Sequence, residues 1–144
     1  MRVLVILKAT KSSEAGEMPS KDDIERGIRF NEEMVNAGIL KAADGLKPSK
    51  FGKRVSLRAH RKPSVIDGPF AETKELIAGY WLWEVKSMDE ALEWAQRCPP
   101  PVSGEESHIE LRQFWEAEDF GAEFSPDMQE RVEVMHRSVE TKQR

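Results

Sequence analysis

Cysteine occurs once in this 144-residue chain, at Cys98. No internal disulfide can form, and a reducing compartment is the natural setting. Histidine is nearly as scarce. His60, His108 and His136 lie far apart in sequence, with no neighbouring ligand at metal spacing, so neither a zinc nor an iron site is expected. Long apolar runs are missing too, and none approaches the roughly 20 residues of a membrane span. The opening "MRVLVILKA" is short and is followed by charge without a small-residue cleavage site, so it reads as a strand rather than a leader. Gly-x-Gly-x-x-Gly, Walker and Gly-x-Ser-x-Gly patterns are absent, which removes the common nucleotide and nucleophile-elbow routes and leaves no cofactor to expect. There is no basic excess: 22 Lys and Arg against 26 Asp and Glu give a net charge of −4, unlike a general nucleic-acid binder. The expectation is a cytoplasmic chain with no membrane or nucleic-acid partner, long enough for one domain with a proper core.

What is present is a clear alternation of elements. "RVLVILK" is apolar on both parities, as in a strand buried on both faces. A polar loop through Gly16 and Pro19 leads to "SKDDIERGIRFNEEMVNAG", where Ser20 can cap a helix, Asp22 and Asp23 suit its positive end, and Gly38 can close it. Ile24, Ile28, Met34 and Val35 fall on one stripe, predicting the packed face. "ILKAADGL" is a strand, and "KRVSLRAHRKPSVID" a hairpin with one face in water. "GYWLWEV" is again apolar on both parities. "SMDEALEWAQRC" carries a Ser87/Glu90 capping box and a stripe of Met88, Ala91, Leu92, Ala95 and Cys98, stopped by Pro99, Pro100 and Pro101. "HIELRQFW" is the last strand.

This order predicts an α+β fold, a ferredoxin-like split β-α-β arrangement with the two doubly apolar strands central. Helices cover one side of such a sheet. The other side would leave aliphatic and aromatic side chains in water, and pairing through sheet faces into a homodimer removes that patch. The divisions are 1–115 for this domain and 116–144 for an extension, in which Ser125-Pro126 starts a helix with an apolar stripe of Met128, Val132, Met135 and Val139.

Candidate chemistry concentrates in "VIDGPFAETKE", residues 65–75. Gly68 and Pro69 end the strand, Asp67 can bond the backbone just ahead of it, and Phe70 can anchor the turn. Asp67, Glu72 and Glu75 then crowd around Lys74. A lysine so placed can bind an acidic group and a partly buried carboxylate can act as a base; a salt-bridged turn explains the same letters. Trp81 can stack on a flat ligand or serve as core. Glu110 and Arg112 share one strand face, where they either line a cleft or pair with each other. Seven Lys and Arg residues between Lys47 and Lys62 suggest an anion patch or a solvated hairpin guarded against edge pairing; Phe51 is the lone aromatic among them, which favours the latter. Cys98 on its apolar stripe reads as packing rather than nucleophile.

"VIDGPFAETKE", "GYWLWEV" and "SMDEALEWAQRCP" together resemble the YCII-related family, in its DGPF-domain branch, and "MRVLVILKA" and "NAGILKAADGLKPS" match its opening strand and post-helix segment. The resemblance implies a ferredoxin-like dimeric α/β barrel with a cleft near the subunit interface, and it places Asp67, Glu72 and Lys74 at motif positions. YCII-like enzymes carry a His-Asp pair whose His lies on the first helix; "SKDDIERGIRFNEEMVNAG" has none, which sets this chain apart from them. Some members of the branch accompany alternative sigma factors, implying as an alternative a regulatory module with a transcription-related partner. The leading expectation is a dimer binding a small anionic or oxygenated molecule, with Asp67, Glu72 and Lys74 as acid-base groups and Trp81, Glu110 and Arg112 as ligand contacts.

Overall fold

A computed structural model describes residues 1–143 of the chain. It divides into two compact units, Met1–Gln113 and a second beginning at Phe114. In the first, β1 (Arg2–Lys8), β2 (Leu40–Gly45), β5 (Ile77–Glu84) and β6 (Ile109–Gln113) form one antiparallel sheet in the order β2-β5-β1-β6, while β3 (Lys53–Ser56) and β4 (Ser64–Asp67) make a separate hairpin. β1 and β5 are the central strands, as their double-sided apolar pattern requires. The helix α2 (Lys21–Asn36) links β1 to β2, and α3 (Met88–Gln96) links β5 to β6, giving the split β-α-β connection. A four-residue turn of helix, α1 (Lys11–Glu14), occupies what reads in sequence as loop. Thr10 and Ser13 form a reciprocal cap there, a pattern overlooked because Ser replaces the usual Glu or Gln.

Register pairs Val3 with Trp83 and Val5 with Trp81, and these four side chains are buried on the helix-covered face. Phe30 and Met34 of α2 and Ala91 of α3 close over them. Trp81 and Trp83 stack with ring centres 5.8 Å apart, and Phe30 meets Trp81 edge-on at 5.4 Å. The Trp81 indole N–H donates to Asn31 Oδ1 at 2.9 Å. Its neighbour Trp83 keeps a buried N–H with no hydrogen-bond partner among the described residues. Leu4, Tyr80, Leu82, Glu110 and Arg112 alternate onto the helix-free face.

Both helices start on the expected serines: Ser20 Oγ accepts from the Asp23 N–H and Ser87 Oγ from the Glu90 N–H, each at 3.1 Å. The packed face of α2 differs from the expected stripe. Met34 is buried, but Ile24, Ile28 and Val35 are 50%, 47% and 59% exposed, and Phe30 takes their place. At 100° per residue these three lie about 100–140° round the helix from the Phe30–Met34 contact line, on the side turned away from it. In α3, Leu92 is likewise half exposed, and Trp94 packs inward instead. In the second unit α4 (Pro126–Lys142) begins at Ser125 as expected, its N-cap accepting from the Met128 N–H. Ahead of it Trp115, Phe120 and Phe124 form a run of ring contacts 5.2–5.4 Å apart.

Candidate functional site

The opening motif is a structural junction. A Cβ on Gly68 would stand 1.8 Å from the carbonyl oxygen of Ser49, so only glycine permits the two backbones to lie this close. The Gly68–Pro69 peptide is cis. The Gly68 N–H donates to the Gly52 carbonyl at 3.0 Å. The Phe70 N–H donates to Ser49 Oγ at 3.1 Å, while that hydroxyl donates to Glu14 Oε2 at 2.5 Å. Glu14 Oε1 also accepts from the Ser49 N–H at 3.0 Å. One serine thus relays between α1 and the end of β4. Phe70 is half-buried beneath the Arg54 guanidinium, 3.9 Å from the ring centre.

Asp67 does not turn back on the chain. Lys53 Nζ donates to its Oδ1 at 2.5 Å across the hairpin, and both side chains are largely in water, 68% and 73% exposed. Glu72, Lys74 and Glu75 are exposed on and beside a 3-10 turn, Thr73–Glu75, leading into β5. Glu110 and Arg112 pair with each other at 3.4 Å on the helix-free face. Trp81, on the opposite face, lines a cavity.

That cavity lies between the sheet and the first half of α2, with a volume of about 750 Å³. Phe30, Trp81, Leu7 and Ile109 give it an apolar interior, and the Pro99–Val102 loop forms part of its wall. A glycine in the middle of α2 helps to open it: nothing lies within 4 Å of where a Gly27 Cβ would stand. Two carboxylates fix the surrounding loops. Asp23 accepts from the Val102 N–H at 3.0 Å and from the Ser20 hydroxyl at 2.9 Å, which hold its carboxyl below the ordinary range. Glu105 accepts from the Ser12 N–H at 3.3 Å, and its carboxyl is lowered by Ser12 first of all. Burial pushes the Cys98 thiol up to about 11, so this cavity-lining sulfur stays protonated.

Lys8, Arg26 and His108 are the basic groups of the lining. Lys8 and Arg26 were not singled out from the sequence, and His108 was weighed there only as a metal ligand. A glycine inside a helix, next to Arg26, was the available signal for an opening there. Lys8 and His108 come together because the Lys8 N–H donates to the His108 carbonyl at 3.0 Å. Asp67, Glu72, Lys74, Glu110 and Arg112 are not among the residues lining this cavity. Among the described residues no group of three or more His, Cys, Asp and Glu side chains is arranged to hold a metal ion, and no helix is long and apolar enough to cross a membrane.

An uncharacterized protein of Rhizobium meliloti (strain 1021) is 37% identical over 81 residues, 54% of this chain and 64% of that relative. The match therefore spans less than two thirds of the relative's length. A solved structure of 5-chloro-2-hydroxyhydroquinone dehydrochlorinase from Burkholderia phenoliruptrix AC1100, in complex with 2,5-dihydroxybenzoquinone, is similar with TM-score 0.47 and 12% identity. That likeness covers 83% of this chain and 98% of that one. The YCII-related domain matches residues 1–115. With most of its length so matched, the chain belongs to the YCII-related domain family.

Proposed function

We propose that this chain is a small-molecule-binding protein of the DGPF branch, its ligand seated in the cavity between α2 and the sheet. The cavity carries the reading. Its size suits a metabolite-sized molecule, and an apolar floor with Phe30 and Trp81 is combined with polar and charged side chains round the wall, a make-up that can both hold a ring and orient it. A protein-interaction module has no need of such a space, which separates this reading from the regulatory alternative. In this reading the protein is a cytoplasmic homodimer, the helix-free sheet faces meeting in an α/β barrel. The half-exposed Leu4, Tyr80 and Leu82 on that face support the pairing.

Acid-base chemistry in the cavity falls to His108. The carboxylates of Asp23 and Glu105 are engaged with backbone N–H groups, whereas the imidazole lines the space, 62% exposed and with Nε2 3.6 Å from the exposed Glu106 carboxylate, and is placed to carry a proton between ligand and water. Asp67, Glu72 and Lys74 rank behind it, and Glu110 and Arg112 would sit at the dimer interface. Backbone and indole N–H spectra recorded with a library of small polar aromatics test the proposal. Binders are expected to shift Gly27, Phe30, Ile109 and the Trp81 indole. Shifts confined to Tyr80, Glu110 and Arg112 would overturn it, as would a library without binders.

A further inference from the structure

We infer that the cavity is selective for a flat monocarboxylic acid, its ring against Phe30 and Trp81 and its carboxylate met by Lys8. This rests on the ligand-binding reading and narrows it. The first observation is position. Where β1 ends, its pairing with β5 passes over Ala78, and Leu7, Lys8 and Ala78 all line the cavity. Such irregularities occur next to functional sites.

The second is charge. Arg26, also in the lining, lies close enough to Asp23 to lower its carboxyl, so its charge is partly balanced. Lys8 is half-buried and has no carboxylate within salt-bridge distance among the described residues. An ammonium at a cavity wall without a carboxylate partner can take one from a ligand as a charge-assisted hydrogen bond. The third is the number of acids around it. Asp23, Glu105 and Glu17 share the lining. A dianion such as a phosphate ester would gain from Lys8 but meet this field twice over, whereas a single negative charge meets it once. Flatness follows from the edge-on pair of Phe30 and Trp81, whose faces and edges suit an aromatic ring better than a branched aliphatic chain.

The test uses three probes of one ring size: benzoate, benzamide and phenyl phosphate, each titrated against the full chain at constant ionic strength, with the Trp81 indole N–H resonance as readout. Benzoate is expected to bind about tenfold or more tighter than benzamide, the worth of one charge-assisted contact, and tighter than phenyl phosphate. Lys8→Met should bring benzoate down to the level of benzamide and leave benzamide unchanged, while Lys8→Arg should keep the preference. Equal binding of acid and amide at Trp81, an unchanged preference in Lys8→Met, or tighter binding of phenyl phosphate would each overturn the inference while the cavity remains a ligand site. If no probe moves Trp81, the inference falls together with the reading beneath it.

Discussion

Replacing Gly68 by alanine should be among the most damaging single changes in the first unit. The added Cβ would sit 1.8 Å from the Ser49 carbonyl oxygen and 2.8 Å from its carbon, where contacts below 3.0 Å force a shift, and both obstacles are backbone. The two segments would have to part by roughly an ångström, a displacement that packed backbones resist. That movement pulls Gly68 from the Gly52 carbonyl and Phe70 from the Ser49 hydroxyl. Overpacking costs about 1–3 kcal/mol, and each lost hydrogen bond about 1 kcal/mol. A loss of about 3–5 kcal/mol is therefore expected, lowering Tm by about 10–20 °C for a unit of this size. Urea and thermal denaturation followed by circular dichroism measure it. Asp67→Ala, one residue away, is the control: it removes only a water-exposed ion pair, worth less than about 1 kcal/mol. If Gly68→Ala cost no more than Asp67→Ala, the motif would not be the packed junction described here.

Other consequences follow from the same geometry. Gly27→Ala should stabilise the protein by about 0.5–1 kcal/mol, since alanine favours the helix and its methyl meets nothing, yet weaken ligand binding by intruding on the cavity; denaturation and titration read the two effects separately. Ser49→Ala should cost about 1–3 kcal/mol in urea unfolding, because the Phe70 N–H and the Glu14 carboxylate both lose a partner. Cys98, its thiol raised to about 11 by burial, should resist alkylation at pH 8 in the folded protein and react readily once unfolded. Because that thiol binds its proton more tightly when folded, its contribution to stability is present below the ordinary value of 9.0 and is lost as pH rises from there toward 11. The depressed carboxyl of Asp23 works in the opposite sense. Its stabilisation is present above the ordinary value of 3.8 and lost as pH falls through the lower folded value, so exchange of the Val102 amide should quicken at that acid end and do so less in Asp23→Asn.

Much of the architecture was legible from local chemistry. Ser20, Ser87 and Ser125 announce three helix starts because capping is a short-range bond, and the doubly apolar patterns of β1 and β5 mark the central strands because burial on both faces leaves no room for alternation. The face of α2 was harder. Periodicity favours Ile24, Ile28 and Val35, but the cavity under the helix's first half admits Asp23, Arg26 and Gly27 in their place, and a cavity leaves no apolar signature in sequence. The Gly68 junction depends on Ser49 and Glu14, the latter 54 positions upstream by residue number, a pairing that no spacing rule announces. The cavity lining was illegible for the same reason: it gathers residues of β1, α2 and the loop before β6 that no spacing rule brings together. Asp67, Glu72 and Lys74 attracted notice because they are charged and adjacent, and the structure holds them in an exposed hairpin end and turn.

The most direct test of the ligand-binding account is a crystal structure of the protein as purified and soaked with benzoate, at a resolution that shows small molecules. The account predicts density between α2 and the sheet, against Phe30 and Trp81. A cavity holding only water, with the ligand beside Arg112 on the helix-free face or at Lys74, would contradict it.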